Sequence, residues 1–283
     1  NNIKVGNETL DLTYQYDNNN NIIAVEDGVS VLQSAEFVYD NINRLIEESR
    51  NNTQTRYTYD AVGNRTELAI QPLPLLEGDP QASPVLKTFD YATNSNQLKN
   101  IDGLLVAHDS VGNIISKPES ASLSQSFVYG ASNRLSSVNE GGSVVASYSY
   151  NASGQRVLKD AAGKSTVFHY NQSGQLIGET LFQAGNVLEQ RNYVWLDGMP
   201  LAMITDGKIS YLHSDNLNSP RVATNQDSES VWQWHRNSYG EGLANEDADS
   251  DGYGDAPTGT NPDACPTEAG NSSVGALGCI DTD

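Results

Sequence analysis

The sequence predicts an all-β protein built as an antiparallel meander of hairpins. One observation is a repeated unit in which two aromatic residues, two positions apart, precede a turn sequence, as in Tyr57-Thr58-Tyr59-Asp60-Ala61-Val62-Gly63-Asn64-Arg65. A second observation is another set of turn sequences, each of them containing glycine, that alternates with the first along much of the chain. Two alternating turn sets separated by one strand length describe strands that run up and down in sequence order.

The aromatic unit predicts a strand that enters a tight turn. Tyr57 and Tyr59 point to the same face of a strand, because side chains alternate with a period of two. Asp60 suits the first position of a type I turn, where its side chain bonds the backbone, and Gly63 accepts a positive φ at the fourth. We interpret the aromatic side chains as packing within the sheet, with a sugar-binding platform as the alternative. The other copies are Tyr14-Gln15-Tyr16-Asp17, Phe37-Val38-Tyr39-Asp40, Phe89-Asp90-Tyr91, Val106-Ala107-His108-Asp109, Phe127-Val128-Tyr129, Tyr148-Ser149-Tyr150 and Phe168-His169-Tyr170.

The second turn set completes the hairpins. Each strand between two turns has room for roughly 6–8 residues, which is a usual strand length. One interval is longer, and the four prolines within it predict a surface excursion that interrupts the repeat. These prolines are Pro72, Pro74, Pro80 and Pro84. The turns of the second set are Glu26-Asp27-Gly28, Asp102-Gly103, Glu140-Gly141-Gly142, Asp160-Ala161-Ala162-Gly163 and Ala184-Gly185-Asn186.

Three blocks in the second half of the chain, together with the aromatic units, carry a family resemblance. In order, they are Tyr193-Val194-Trp195-Leu196-Asp197-Gly198-Met199-Pro200-Leu201-Ala202, Tyr211-Leu212-His213-Ser214-Asp215-Asn216-Leu217-Asn218-Ser219-Pro220-Arg221 and Val231-Trp232-Gln233-Trp234-His235-Arg236-Asn237-Ser238-Tyr239-Gly240-Glu241. Over residues 10–241 the sequence resembles the YD-repeat core of the rearrangement-hotspot (RHS) and teneurin-like family. The resemblance implies a long β-sheet that curls into a shell or partial shell, often around a toxin or other C-terminal cargo.

Four polar residues in these blocks are candidates for catalysis, namely His213, Asp215, His235 and Arg236. His213 and Asp215 share a face of a predicted strand and could form an acid/base pair, but no nucleophile or oxyanion donor accompanies them. Shells of the family can end in a self-cleavage segment beyond a Pro-Phe-Gly type stretch, and here Ser238-Tyr239-Gly240 replaces the proline-bearing form. We therefore expect neither enzyme activity nor self-cleavage.

After Glu241 the composition changes, since residues 242–283 contain nine acidic residues and no Lys or Arg. Carboxylates fall at positions 1, 3, 5 and 9 of a loop, with glycine at position 6 and a backbone carbonyl available at position 7. This alternation is typical of oxygen ligands that wrap around Ca²⁺. The ligands predicted in this way are Asp247, Asp249, Asp251, Asp255 and the carbonyl of Tyr253.

The calcium loop is not an EF-hand, because Thr258 stands where the bidentate Glu is needed and no helical pattern flanks the loop. With Asp263-Ala264-Cys265-Pro266, the segment resembles a thrombospondin type 3 repeat, and Asp263 joins the predicted ligands. Asp281 and Asp283 look like the opening of another calcium loop. The alternative is an acidic tail exposed to solvent.

Cys265 and Cys279 are the only cysteines of the chain, and both lie in this acidic segment. A disulfide between them would stabilise the segment by about 3 kcal/mol in the chain-entropy model. Because disulfides persist in oxidising compartments, we expect a secreted or surface-displayed bacterial protein.

The chain is strongly acidic, with a net charge of −20 over 283 residues. Such a charge argues against nucleic acid or an anionic membrane as a partner and favours cations. No apolar run reaches the ~18 residues of a membrane span, so we expect no membrane insertion. The chain starts at Asn1 without an initiator Met or a signal peptide, so we expect a processed product or a piece of a longer protein.

These observations predict two domains, a β-sheet domain over residues 1–241 and a calcium module over residues 242–283. The predicted function is that of a non-enzymatic extracellular scaffold, which associates with copies of itself through strand edges into a fibre. Two alternatives stay open. One is a shell fragment of an RHS polymorphic toxin that encloses a cargo domain, and the other is a glycan-binding surface adhesin.

Overall fold

A computed structural model describes residues 2–6, 9–29, 33–74, 81–120, 122–234, 236–241 and 244–246. These residues form 24 β-strands and no α-helix, which confirms the predicted all-β fold. The described part of the chain accordingly contains no helix with the length and apolar character needed to cross a membrane.

The strands lie in two sheets, and within each sheet every strand neighbours the next strand of the chain. The first sheet has 10 strands: β1 (Asn2–Val5), β2 (Leu10–Tyr16), β3 (Ile22–Asp27), β4 (Ala35–Tyr39), β5 (Leu45–Arg50), β6 (Thr53–Tyr59), β7 (Arg65–Pro72), β8 (Val85–Tyr91), β9 (Leu98–Ile101) and β10 (Leu104–Leu105). The second sheet has 14 strands: β11 (Ala107–His108), β12 (Ile114–Pro118), β13 (Ser124–Tyr129), β14 (Leu135–Glu140), β15 (Ser143–Tyr150), β16 (Arg156–Ala161), β17 (Lys164–Tyr170), β18 (Leu176–Gln183), β19 (Asn186–Leu196), β20 (Met199–Thr205), β21 (Lys208–Ser214), β22 (Pro220–Thr224), β23 (Ser230–Trp234) and β24 (Ala244–Glu246).

The predicted meander is confirmed by the pairing of these strands. Neighbouring strands pair antiparallel, for example β6 with β7 and β17 with β18. Neither strand order closes on itself among the described residues. The sheet continues past residue 241, because β24 pairs with β23 and places Ala244 opposite Trp234. The predicted excursion of four prolines falls at the junction of β7 and β8.

The strands group into two compact units. Unit 2 is one continuous segment, Glu36–Gln190. Unit 1 is discontinuous in sequence, since it combines residues of Asn1–Ala35 with residues that follow Gln190. Strands from the beginning of the chain therefore pack with strands from its second half.

The turn that begins at Asp60 shows why the aromatic units form hairpins. The Gly63 N–H donates to the Asp60 carbonyl oxygen over 3.2 Å, and the Asp60 N–H donates to the Asn64 carbonyl oxygen over 2.9 Å. Gly63 has a φ of 97°, which an L-residue with a side chain rarely adopts. This is a type I turn followed by a bulge, and it confirms the conformation predicted for Asp60 and Gly63.

Nine further turns have the same two backbone hydrogen bonds. We call them all aromatic turns and name each by its first residue. The turns at Asp215, Asn225 and Asn237 were not predicted from the sequence. Each begins with Asp or Asn, and its fourth residue, Asn218, Ser228 or Gly240, has a positive φ. The nine turns begin at Asp17, Asp40, Asp109, Gly130, Asn151, Asn171, Asp215, Asn225 and Asn237.

The second turn set has a different geometry that suits tight two-residue loops. Asp102 and Gly103 have φ values of 50° and 77°, and positive φ at both positions is the requirement of a type I′ turn. Ala162-Gly163 and Ala184-Gly185 follow the same rule. After β3, by contrast, the connection spans residues 28–34, so the predicted Glu26-Asp27-Gly28 turn is part of a longer link.

Tyrosine hydroxyls join successive hairpins of unit 2. The second aromatic residue of a unit donates its hydroxyl to the carbonyl oxygen of the residue that begins the strand after the preceding aromatic turn. The side chains therefore hold each hairpin against the one before it, in addition to the backbone pairing. The bonds of this tyrosine ladder are Tyr59 to Leu45 at 2.6 Å, Tyr91 to Arg65 at 3.0 Å, Tyr129 to Ile114 at 3.1 Å, Tyr150 to Leu135 at 2.8 Å and Tyr170 to Arg156 at 2.9 Å.

Unit 1 contains an apolar cluster that joins its two segments. Leu10, Leu12 and Tyr14 on β2 cluster with Val222 on β22, and all four are buried. Partly buried apolar side chains of β1 and β3 pack around them. These are Ile3, Val5, Ile22 and Val25. Burial of this cluster drives the association of β1–β3 with β22.

Candidate functional site

Most aromatic turns use the side chain of their first residue within the turn itself. In the Asp60 turn, one carboxylate oxygen accepts the backbone N–H groups of Val62 and Asn64, over 3.0 and 2.8 Å. The other oxygen accepts the Asn64 side-chain amide over 2.8 Å. We call this pairing of the first and fifth side chains the turn lock.

The turn lock is chemically reciprocal. Where the first residue is Asp, the fifth residue is a donor, as in the pairs Asp17–Asn21, Asp40–Arg44 and Asp109–Asn113. Where the first residue is Asn, the fifth residue is an acceptor. The latter pairs are Asn151–Gln155, Asn171–Gln175, Asn225–Glu229 and Asn237–Glu241.

Hydrogen bonds in the turn lock stabilise the ionised carboxylates. The side-chain amide of Asn21 is the main cause that holds the pKa of Asp17 below its usual value, and Asn113 does the same for Asp109. The pKa of Asp40 is lowered chiefly by the backbone N–H of Arg44. These carboxylates are therefore structural acceptors that stay charged, which does not suit a general acid.

The Asp215 turn departs from this scheme. Its first oxygen accepts the N–H groups of Leu217 and Ser219 over 2.9 and 3.1 Å, as in the other turns. Its fifth residue is Ser219, which replaces the Asn or Arg of the other Asp turns. The second oxygen instead accepts the Arg236 guanidinium over 2.7 Å and lies 3.6 Å from that of Arg221. The carboxylate is therefore committed to residues outside its own turn.

The two arginines extend this contact to neighbouring strands. Arg221 lies on β22 and donates its Nε–H to the Trp234 carbonyl oxygen over 3.1 Å. Arg236 follows β23 and lies 5.3 Å from the centroid of the Trp234 ring. The Asp215 side chain is only 3% exposed and those of Arg221 and Arg236 are 16% and 15% exposed. We call Asp215, Arg221 and Arg236 the Asp215 cluster.

Tyr14 connects the Asp215 cluster to the N-terminal strands. Its hydroxyl bonds the backbone of Asn216, the residue after Asp215. Burial is the largest influence on the pKa of the Tyr14 hydroxyl and raises it, while the bond to the Asn216 backbone lowers it, as an N–H donated to the phenol oxygen does. The Asp215 turn is thus bound both by the arginines and by β2.

The catalytic candidates are not arranged as an acid/base pair. The Nε2 atom of His213 lies 2.9 Å from the Thr224 hydroxyl, and burial lowers the pKa of the imidazole. Asp215 is occupied by its turn and by two arginines. His235 lies outside the described residues, and Arg236 takes part as an ion-pair partner.

The predicted calcium ligands and cysteines lie outside the described residues. These are Asp247, Asp249, Asp251, Tyr253, Asp255, Asp263, Asp281 and Asp283, with Cys265 and Cys279. The calcium site and the disulfide therefore stay predictions. Elsewhere, in the described segments up to residue 246, no group of three or more His, Cys, Asp and Glu side chains is placed to hold a metal ion.

One segment of unit 2 carries a family match. Residues 39–72 match the RHS repeat. The matched segment contains the Asp40 and Asp60 turns and the Tyr59 bond of the tyrosine ladder. The RHS resemblance is therefore confirmed for this segment. A search of curated proteins finds no match to the chain.

Solved structures that share this fold include toxin assemblies. A chain of the Tc holotoxin pore of Photorhabdus luminescens aligns with a TM-score of 0.62 and 15% identity, over 82% of the present chain and 13% of that chain. The crystal structure of TcdB2-TccC3 without its hypervariable C-terminal region gives a TM-score of 0.62 and 16% identity, over 82% and 13% of the two chains. A third, TcdB2-TccC3-Cdc42, gives 0.62 and 15%, over 81% and 13%. At this identity the likeness shows the fold, and the present chain spans 13% of the length of these proteins.

Proposed function

We propose that this chain is a structural, non-enzymatic segment of an RHS-type shell wall, and that the wall encloses a cargo domain of a longer protein. The observation that carries the proposal is the shared fold with chains of toxin assemblies over 82% of the present sequence, together with the RHS repeat at residues 39–72. A scaffold that encloses nothing is the second candidate.

The polar groups of the described residues support a wall more than an enzyme. The aromatic-turn carboxylates are held in turn locks, and Asp215 is held by arginines. The tyrosine ladder holds hairpin to hairpin along unit 2. Contact between β2 and β22 packs the first strands of the chain against a strand of its second half within unit 1.

The experiment is to express the complete reading frame that contains this chain and to image the product by electron cryomicroscopy. We expect a hollow particle with this segment in its wall, and a C-terminal domain that resists protease until the particle is denatured. A protein with no internal space, or a C-terminal domain cleaved as fast as the free domain, contradicts enclosure. Time-dependent cleavage of the chain that is lost in Asp215→Asn contradicts the non-enzymatic role.

Self-association is the form that a scaffold role would take, and the open strand orders favour it. An edge strand presents unpaired backbone groups to which a second copy can add its own edge. Sedimentation and electron microscopy at high concentration, with millimolar Ca²⁺, should then show filaments or oligomers. If only monomers appear, the edges are covered by the rest of the longer protein.

We also propose that the acidic segment binds calcium and that the protein is extracellular. Clustered carboxylates repel one another until a divalent cation neutralises them. We expect Ca²⁺ to protect residues 247–263 from protease, and Asp249→Ala to abolish most of the protection. Equal cleavage with calcium and with chelator contradicts the site, and free thiols in a non-reducing peptide map contradict the Cys265–Cys279 bond.

A glycan-binding adhesin is less well supported. Such a protein needs rows of exposed aromatic side chains, and among the described tyrosines and phenylalanines the exposed ones are Tyr16, Tyr211 and Tyr239. Several of the paired tyrosines instead donate their hydroxyls to the backbone within unit 2. The interpretation of the aromatic pairs as packing is therefore favoured over the sugar-binding platform.

A further inference from the structure

Unit 1 is assembled from two segments that are far apart in sequence, and β2 is the part that makes the contact. Leu10, Leu12 and Tyr14 alternate along β2, so they lie on one face of it. This face packs on Val222, and the Tyr14 hydroxyl bonds the backbone of Asn216. Apart from the Tyr14 hydroxyl bond, the contact between β2 and β22 consists of apolar side-chain packing.

The surface that β2 packs on, formed by β22 and the Asp215 turn, is held together by the Asp215 carboxylate. In the other Asp turns the second carboxylate oxygen accepts from the fifth residue of the same turn, so the carboxylate binds only within its own turn. At Asp215 the equivalent oxygen binds Arg236 and approaches Arg221. Asp215 therefore fixes the turn that holds Asn216, the strand that holds Val222 and the chain after β23, all at the same time.

We propose that β1–β3 form a latch, which is closed on β22 and the Asp215 turn and which undocks as one piece when the Asp215 ion pairs are broken. Undocking leaves the hydrogen bonds among β1, β2 and β3 intact, because the latch face contributes side chains and not ladder bonds to the contact. The latch stays attached to the first sheet, in which β3 neighbours β4. Undocking exposes Val222 on one side and the buried face of β2 on the other. The inference rests on contacts inside unit 1 and does not depend on the wall function.

Hydroxyl-radical footprinting of the intact chain tests the latch. Leu10, Leu12 and Tyr14 are 4%, 2% and 6% exposed, so they label slowly while the latch is closed. In Asp215→Asn we expect their labelling to rise at least fivefold. Tyr57 of unit 2 is 4% exposed and should keep its low rate, which shows that the rest of the chain remains folded.

The matched control is Asp60→Asn, which weakens a turn lock whose carboxylate binds only within its own turn. Tyr14 should stay protected in that variant. Arg236→Gln is the second test, because it removes one partner of Asp215 without changing the turn. We expect a smaller rise in labelling of β2 than in Asp215→Asn.

Two outcomes overturn the latch. One is unchanged protection of Leu10, Leu12 and Tyr14 in both Asp215→Asn and Arg236→Gln. The other is labelling of Tyr57 that rises together with that of Tyr14 in both variants, because the segment would then unfold with the whole chain and not undock. Neither outcome bears on whether the longer protein encloses a cargo.

Discussion

At the scale of single residues, the aromatic turns differ in how much room surrounds their fourth position. Gly63 and Gly154 both have positive φ, 97° and 80°. A Cβ at Gly63 would meet nothing within 4 Å, whereas a Cβ at Gly154 would collide with the Arg134 guanidinium. That guanidinium lies 5.8 Å from the centroid of the Tyr150 ring, so moving it aside disturbs a cation–π contact.

We predict that Gly154→Ala destabilises the protein more than Gly63→Ala. Both variants force alanine into the left-handed region, which costs about 1 kcal/mol. Gly154→Ala must also displace Arg134 from Tyr150, which adds about another 0.5–1 kcal/mol. Urea unfolding of the two variants measures the difference. Equal losses would show that Arg134 moves aside freely.

A second residue-scale prediction concerns His213. Burial lowers its pKa in the folded state below the ordinary value of 6.5, so the unfolded state binds the proton more tightly. The stabilising contribution is complete above that value and is lost as pH falls below it. We expect unfolding free energy to decline between about pH 7 and about pH 5, and His213→Gln to reduce the decline. An identical pH slope in the variant would exclude His213 as its source.

At the scale of elements, the sequence predicted the hairpins because their determinants are local. The alternation of Tyr57 and Tyr59 and the pairing of Asp60 with Gly63 lie within a few residues of one another. The tyrosine ladder could not be predicted in the same way, since Tyr150 donates to Leu135 across a neighbouring hairpin. Its regularity appears only when the register of the strands is known.

We predict that Tyr150→Phe lowers the stability of unit 2 by about 1 kcal/mol, the usual net value of one hydrogen bond. The ring still packs, so the loss reports the hydroxyl alone. Tyr211→Phe is the control, because that side chain is 44% exposed. Hydrogen exchange of the Leu135 strand should increase in the first variant and stay unchanged in the second. Similar exchange in both would mean that the ladder bond adds nothing to strand pairing.

At the scale of the whole molecule, the sequence singled out residues of the Asp215 cluster but did not predict the contact between them. Asp215 and Arg236 were both candidates, yet their ion pair spans 21 positions, and Tyr14 reaches the same turn from the other end of the chain. No local pattern predicts such a contact. The sequence does contain one sign of it, because Ser219 stands at the fifth position of the turn, where the other Asp turns have Asn or Arg.

The acid stability of the whole protein should depend on the aromatic-turn carboxylates. The pKa values of Asp17, Asp40 and Asp109 are lowered in the folded state from an ordinary value of 3.8. Their contribution is therefore present above that value and is lost as pH falls through the folded pKa. We expect Asp109→Asn to make the acid unfolding curve, followed by circular dichroism, less steep. A curve that matches the parent protein would assign acid unfolding to other groups.

The reciprocal turn lock makes some turns sensitive to deamidation of their first residue. Asparagine side chains lose ammonia over time and become acidic. At Asn237 the amide donates to the Glu241 carboxylate over 2.9 Å, so deamidation would set two negative charges face to face where a hydrogen bond had been. Asn225 and Glu229 are placed in the same way, whereas Asn151 and Asn171 face glutamines that can rotate to donate instead. Deamidation would therefore break the turn locks at Asn225 and Asn237 and leave a hydrogen bond in those at Asn151 and Asn171.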